Sequence, residues 1–288
     1  MVGNMRFSQE GRGRMGAWLR WLVAGVGGMV VAAIALGLAG PGRAARPMAL
    51  PQAEGPERIG GSAFLVAPGL LVTNAHVALR CRAQGRSLEV AGQPGAWRVL
   101  TEDSSTDLAL LAGPGLGGSP LSLSAAQRLP PGLPVLVLGY PLRDGNPGAL
   151  QARPGQIRRA ALTVHDPETG RAISFVMTDR SGHEVPARWE DGLRYFGADK
   201  ADRLRWRLEI DAPSSGGSSG GPVLDAAGNV VGVVYAGARG LTSAVPLEDL
   251  REFLARAGVA PLFRTAAAAP DWQAVQARAA QATHRISC

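Results

Sequence analysis

The sequence is poor in aromatic residues, which make up only 5% of its 288 residues, and it contains 39 glycines and 21 prolines. This composition disfavours a helical bundle and suits a chain of many short strands joined by turns. Hydrophobic residues still make up 46% of the chain, enough to form the core of one large or two small domains. The composition therefore favours an all-β fold.

The body of the chain also has little net charge. The formal net charge is +7, but six arginines and only one glutamate precede residue 47, so most of the excess lies at the start. Binding to nucleic-acid phosphates requires a concentrated basic face, which the body lacks. We therefore expect no nucleic-acid partner.

Charge is absent altogether from residues 21–39, a hydrophobic run that follows four arginines. This pattern predicts a membrane-insertion signal, either a retained transmembrane anchor or a cleaved signal sequence, and a buried core helix is the alternative. Because positively charged flanks stay cytoplasmic, we expect residues 1–20 in the cytoplasm and the following chain outside it. Residues 40–57 contain four prolines and no apolar periodicity, which is typical of an extended linker.

Cysteine is scarce as well, with only Cys81 and Cys288 in the chain. In an exported protein two cysteines are more often paired than reactive. We therefore expect a disulfide between them, with two independent free thiols as the alternative.

Short apolar runs separated by turn residues fill residues 58–260 and predict strands. They fall into two groups of about six, which indicates two β-barrels. Helical periodicity is confined to the end of this region, where Leu247, Leu250, Phe253 and Leu254 share one face of a predicted closing helix. We interpret residues 261–288 as a C-terminal tail, in which residues 271–284 can form a further short helix.

Histidine, the side chain that most often acts as a general base, occurs only four times in the chain. His165, His183 and His284 lie in polar surroundings and are predicted to be exposed. His76 instead lies in the motif TNAHV, directly after two strand-like runs that would hold it rigidly. A structural role for a histidine in this position is the alternative to a catalytic one.

Ser219 lies in the glycine-rich run GGSSGGPV of residues 216–223. A serine hydroxyl needs a neighbouring base to become a nucleophile. A tight Gly-x-Ser turn can aim the N–H groups of Gly217 and Ser219 at one point, where an oxyanion would develop. The alternative is a flexible glycine–serine linker, which the two flanking strands disfavour.

Asp107 lies at the start of the apolar run TDLALL, where a buried carboxylate would need a hydrogen-bonding partner such as a histidine N–H. Its competitor for this role is the nearby Asp103, and a simple turn aspartate is the remaining alternative. The apolar context favours Asp107.

The motifs TNAHV, TDLALL and GSSGGP, in the order His, Asp, Ser, resemble the three signatures of the chymotrypsin-like, or trypsin-like, serine proteases. The similarity is greatest to the bacterial Htr/Deg branch and covers about residues 58–256, without a following PDZ domain. It implies a chymotrypsin-like double β-barrel with the site in the cleft between the barrels. It also implies a serine endopeptidase that uses His76, Asp107 and Ser219, with no metal or cofactor.

The resemblance carries three further expectations. In this family the residue six positions before the nucleophile, here Pro213, lines the substrate pocket, and Tyr235, Ala236 and Gly237 form one of its walls. The absence of an acidic group there argues against selection of Arg or Lys, and the wall favours a small or medium aliphatic side chain before the cut. Substrates would be peptides or proteins. The N-terminal segment, rather than the resemblance, predicts the location: the bacterial inner membrane with the protease domain in the periplasm, or the secreted or periplasmic fraction after cleavage.

More residues separate Asp107 from Ser219 in the sequence than in compact bacterial relatives, and the additional residues fall in the segment 163–208. This insertion is interpreted either as an elongated hairpin over the cleft or as a surface loop that engages a partner. Two alternatives to an enzyme stay open: a catalytically silent relative that binds peptides in the same cleft, and a membrane-tethered interaction protein. The oligomeric state is left open.

Overall fold

A computed structural model of the chain describes residues 59–114, 116, 118–143, 146–166, 171–238, 240–265 and 271–288. The cytoplasmic segment, hydrophobic segment and linker predicted above, residues 1–57, lie outside these ranges. Within them, no helix combines the length and the apolar character that crossing a membrane requires.

Strands are the main regular structure of the described chain, and most of them are short and pair antiparallel. In chain order the strands are β1 Gly60–Ala67, β2 Leu70–Thr73, β3 Glu89–Val90, β4 Arg98–Asp103, β5 Leu108–Ala112, β6 Leu123–Ser124, β7 Pro134–Gly139, β8 Leu142–Arg143, β9 Asn146–Pro147, β10 Gln151–Asp166, β11 Arg171–Phe175, β12 Met177–Thr178, β13 Glu184–Val185, β14 Leu204–Ile210, β15 Pro222–Leu224, β16 Val230–Ala238, β17 Leu241–Pro246, β18 Phe263–Arg264 and β19 Thr283–Ser287. The helices are α1 Ala75–Ala83, α2 Trp189–Phe196, α3 Leu247–Arg256 and α4 Trp272–Ala282, with a 3-10 helix at Ala198–Arg203.

The first sheet contains six strands in the order β3-β19-β1-β2-β5-β4, all paired antiparallel. Fully buried side chains of its strands, among them Phe64, Leu71 and Leu110, form a core that continues onto the apolar faces of α3 and α4. Burying one such side chain contributes about 1.5–3 kcal/mol. This core supports β2 and β5, the two strands that lead into His76 and follow Asp107.

The second sheet closes on itself. Six of its nine strands follow the order β15-β7-β10-β14-β17-β16, and β15 also pairs with β16, which completes a six-stranded barrel. Strands β6 and β18 continue the sheet beyond β16, and β11 pairs with β10. Val135, Ile157, Ile210, Val223 and Val234 are fully buried in its interior. Side chains alternate between the two faces of a strand, so the residues between these positions lie on the outside of the barrel.

Residues 261–288 are not a separate tail. They contain α4 and β19, and β19 is an inner strand of the first sheet because it pairs with β1 on one side and β3 on the other. His284, which the sequence predicted to be exposed, is 9% exposed in this strand. The predicted disulfide is present, and it joins Cys288 to Cys81 on α1 with a Cα–Cα distance of 5.8 Å.

The insertion at residues 163–208 combines a hairpin with a helical segment. Strand β10 pairs with β11, and α2 and the 3-10 helix follow before β14 returns to the barrel. A small apolar cluster of its own stabilises this unit, formed by Leu162, Val164, Phe175 and Leu204. The insertion is therefore a structured extension of the second barrel.

Candidate active site

His76 lies in the first turn of α1, directly after β2. Two buried side chains fix this junction: the Thr73 hydroxyl donates to the Ser62 carbonyl at 2.8 Å, and Asn74 Nδ2 donates to the Asp107 carbonyl at 2.9 Å. The His76 side chain is 39% exposed. The imidazole is thus held by rigid elements and remains open to the solvent side.

Both carboxylate oxygens of Asp107 bond to the same residue. Oδ2 lies 2.7 Å from His76 Nδ1, and Oδ1 accepts the His76 backbone N–H at 2.8 Å. Among the described residues, Asp107 is the one non-glycine residue with a positive φ, 65°, a conformation that Asp tolerates better than bulky residues do. A carboxylate on Nδ1 fixes the ring so that Nε2 faces away and can accept a proton.

Asp103, the competitor for this role, is engaged elsewhere. Its Oδ1 accepts hydrogen bonds from the backbone and hydroxyl of Ser105, and its Oδ2 lies 2.5 Å from Arg256. Burial alone would raise the pKa of Asp103, but these hydrogen bonds and the charge of Arg256 outweigh it and lower the pKa. Asp107, as the sequence favoured, is the carboxylate at His76.

The loop that bears Ser219 is packed against β1. Ser62 N–H donates to the Ser219 carbonyl at 2.7 Å, and the Ser62 hydroxyl donates to the Gly217 carbonyl at 2.9 Å. Gly217 and Gly220 have φ values of +88° and +86°, and a Cβ on them would lie 2.5 Å from the Tyr140 oxygen and 2.1 Å from the Ser62 oxygen respectively. Only glycine fits these positions. The run is therefore a packed turn, and the flexible-linker alternative is wrong.

The N–H groups of Gly217 and Ser219 have no hydrogen-bond acceptor within the described chain. Backbone N–H groups are usually paired when they are buried. Two unpaired donors in one tight turn are consistent with a binding position for an external oxygen.

The hydroxyl of Ser219 is bonded to the backbone of the cleft wall. Its Oγ donates to the Tyr235 carbonyl at 3.1 Å, and no hydrogen bond joins it to the imidazole in the part of the chain that the structure describes. The hydroxyl must exchange this bond for one to Nε2 of His76 before the imidazole can take its proton. Such hydrogen bonds are often absent or long in unliganded enzymes and form when substrate binds.

A buried arginine lies beneath the site, and sequence reasoning missed it. Arg207 on β14 is 4% exposed, donates to the Thr106 carbonyl at 3.1 Å and stacks 4.9 Å from the centre of the Tyr235 ring. Its guanidinium lies 3.6 Å from Asp249. The Tyr235 ring in turn packs edge-on against His76, with ring centres 6.2 Å apart. Burial raises the pKa of Tyr235 to about 12, so its hydroxyl stays neutral.

The cleft has a volume of about 770 Å³ and brings together most of the predicted site residues. The predicted residues that line it are His76, Asp107, Ser219, Tyr235, Ala236 and Gly237. Pro213 lines a separate cavity of about 120 Å³ instead. Between the cleft and this cavity, the wall strand that contains Gly237 contacts the loop that contains Pro213 and Ser214. A Cβ on Gly237 would lie 2.2 Å from the Ser214 carbonyl oxygen. The structure therefore does not place Pro213 in one pocket with the other three wall residues.

A family model described as a trypsin-like peptidase domain matches residues 61–233 of this chain. The chain belongs to the trypsin-like peptidase family. The matched region includes His76, Asp107 and Ser219, and it ends two residues before Tyr235. The mostly β, chymotrypsin-like fold predicted from the sequence is the fold of this family.

Individual trypsin-like relatives share only moderate sequence identity with this chain. "Serine protease Rv3671c" of Mycobacterium tuberculosis (strain H37Rv) is 29% identical over 178 residues, 62% of this chain and 36% of that protein. "Serine protease HTRA1A" of Danio rerio is 30% identical over 200 residues, 68% of this chain and 34% of that protein. The chain thus matches about a third of the length of these relatives. The crystal structure of the active form of the M. tuberculosis Rv3671c protease is 27% identical, covers 73% of this chain and 78% of that one, and has a TM-score of 0.46.

Proposed function

We propose that this chain is a serine endopeptidase that hydrolyses peptide bonds in a peptide or protein substrate. The observation that carries the proposal is the two-point contact between Asp107 and His76 in the cleft that also contains Ser219. Membership of the trypsin-like peptidase family supports it. His76 would act as general base, Asp107 as its orienting acid and Ser219 as nucleophile.

The reaction would proceed through an acyl-enzyme. The Ser219 hydroxyl gives up its hydrogen bond to the Tyr235 carbonyl and transfers its proton to His76 Nε2. Its Oγ then attacks the substrate carbonyl carbon. The carbonyl electron pair moves onto the oxygen, which the N–H groups of Gly217 and Ser219 stabilise. Losing one such donor typically lowers the rate about 10²–10³-fold. The protonated His76 then donates to the departing amine, and a water molecule, deprotonated by the same imidazole, hydrolyses the ester.

A fluorophosphonate probe tests the proposal, since it reacts covalently only with an activated serine. The purified chain is treated with the probe, and the modified peptide is identified by mass spectrometry. We expect labelling at Ser219, no labelling of Ser219→Ala, and strongly reduced labelling of His76→Ala. Ser215→Ala is the matched control, because this exposed serine also lines the cleft and has no contact with His76.

A catalytically silent, peptide-binding relative is the second candidate, and the hydrogen bond from Ser219 to Tyr235 is the observation that favours it. Folded protein that binds peptides but is never labelled at Ser219 would support this candidate and contradict the enzyme.

We also propose that the domain acts outside the cytoplasm, anchored to the membrane or released from it. The Cys81–Cys288 disulfide supports this location, because disulfides persist mainly in oxidising compartments. Spheroplasts of the expressing cell provide the test. Added protease should digest the domain while a cytoplasmic marker stays intact, and equal protection of both proteins would contradict an extracytoplasmic location.

A further inference from the structure

A row of arginines lies beside the candidate nucleophile. Arg205 and Arg207 alternate along β14 and so project to one face of the strand, and Arg203 ends the 3-10 helix just before it. All three line the cleft that contains Ser219, together with Arg80 on α1. The row belongs to the inserted segment, so the insertion supplies a basic wall to the cleft.

The carboxylates of the cleft do not neutralise this wall. Only two aspartates, Asp107 and Asp202, are among the described lining residues, and Asp107 is bonded to His76. Arg207 has its own partner in Asp249 and is buried. Arg80 and Arg207 have interactions of their own, so the remaining charge of the wall comes from Arg203 and Arg205. These two arginines share the cleft with one carboxylate not bonded to His76, that of Asp202, which leaves an excess of positive charge that attracts anionic groups.

Arg205 has the geometry of a preorganised recognition group. Its Nε donates to the Ser105 carbonyl at 2.8 Å and its Nη1 to the Leu204 carbonyl at 2.6 Å. Both acceptors are neutral, and no carboxylate in the described chain forms an ion pair with Arg205. Because two bonds already fix the guanidinium, little side-chain entropy remains to be lost when a ligand binds to its remaining N–H groups.

We propose that Arg205, with Arg203 beside it, forms a subsite for a carboxylate side chain, so that the cleft selects peptides with Asp or Glu close to the cut. Arg205 and Ser219 line the same cleft, and an extended peptide advances about 3.3 Å per residue. The acidic residue and the scissile bond would therefore occupy this one cleft. This inference rests on the proposed function for the cleavage itself, but it depends on different residues.

The test compares peptides that are acetylated and amidated at their ends and that carry Asp, Glu, Asn, Gln or Lys at one position at a time. In the unmodified protein we expect kcat/KM to be about tenfold or more higher for Asp or Glu than for the matching amide at one position, the range for a hydrogen bond to a charged group. Arg205→Gln should bring this ratio close to one, and Arg205→Glu should transfer the preference to Lys. Added salt should reduce the ratio, because the cleft is open to solvent.

Arg278→Gln is the matched control. Arg278 is exposed, bonds to a backbone carbonyl as Arg205 does, and does not line the cleft. Its substitution should leave the preference for acidic peptides unchanged. If Arg205→Gln lowers turnover of acidic and neutral peptides equally and the ratio stays, Arg205 only ties β14 to Ser105 and the proposal is wrong.

Binding of labelled peptides to Ser219→Ala, measured by fluorescence anisotropy, separates this proposal from the proposed function. If the unmodified protein cleaves no peptide but binding is selective for acidic peptides and requires Arg205, the proposed peptidase function is refuted and the subsite proposal stands. Cleavage or binding without preference for acidic peptides would refute the subsite alone. A preference confined to peptides with a free C-terminal carboxylate would also refute it, since the recognised group would then not be a side chain.

Discussion

Replacing the buried Arg207 by Met, which has a similar length and no charge, should destabilise the fold far more than replacing an exposed arginine. The guanidinium of Arg207 donates to the carbonyls of Thr106 and Trp206 and lies 3.6 Å from Asp249. Its removal leaves these acceptors without their donors and Asp249 without its counterion. Burial raises the pKa of Asp249, and the charge of Arg207 opposes that rise.

Removing one partner of a fully buried ion pair costs about 3–5 kcal/mol. The lower end applies here, because the Asp249 side chain is 27% exposed and can regain some water. For a domain of this size, about 3 kcal/mol corresponds to a fall in Tm of about 6–12 °C. Arg82→Met is the matched control, since Arg82 pairs with Glu102 at the shorter distance of 2.7 Å but is 63% exposed. An exposed pair contributes about 0–1 kcal/mol.

Differential scanning calorimetry of the two variants and the unmodified chain measures both effects. Equal Tm values for Arg207→Met and Arg82→Met would refute the reasoning. Such a result would mean that the burial of an ion pair does not increase the cost of removing its arginine. The double variant Arg207→Met with Asp249→Leu should regain part of the loss, since replacing both charges of a buried pair by apolar groups is often neutral or stabilising.

Three further perturbations test the site and its support. Asp107→Asn should lower kcat about 10⁴-fold, because it places the imidazole in the wrong tautomer; a loss below tenfold in peptide hydrolysis would contradict this role. Replacing Cys81 and Cys288 by Ser should lower the free energy of unfolding by about 2–5 kcal/mol, because the bridge spans a sequence separation of 207 residues; equal urea midpoints with and without the bridge would count against it. Burial lowers the pKa of His284, so the unfolded chain binds a proton at higher pH than the folded chain. Stability should therefore fall as the pH drops below about 6.5, and His284→Gln should flatten this fall relative to His183→Gln in urea titrations.

Local motifs made part of the site predictable. The three predicted catalytic residues, His76, Asp107 and Ser219, lie near strand ends and have small or turn-forming neighbours. Their chemistry and their rigid placement could therefore be inferred from a few neighbouring residues. The structure brings the three into one cleft. The hydrogen bond from the Ser219 hydroxyl to the Tyr235 carbonyl could not be predicted, because it depends on a contact between residues 16 positions apart in the folded chain.

Features that depend on distant pairing were missed. Strand β19 contains a single large aliphatic residue, Ile286, and its partners in β1 and β3 lie some 200 residues earlier in the chain. Its periodicity was therefore too weak to identify it as an inner strand. The burial of Arg207 has a signal in retrospect: it is a charged residue within the apolar run that forms β14. Its partners, however, come from the Thr106 turn and α3, which only the tertiary structure brings together.

The position of β19 imposes an order on assembly during synthesis. All strands of the closed barrel, from β7 to β17, emerge from the ribosome before β19, so that barrel can form while translation continues. Until β19 pairs with β1, with Ser287 opposite Gly60, one edge of β1 stays unpaired, and unpaired strand edges favour aggregation. Contacts of such sequence separation also form slowly. A nascent chain would therefore complete the barrel beside the Ser219 turn first and the sheet that supports His76 last, so the candidate site would be assembled only after residue 287 has been added.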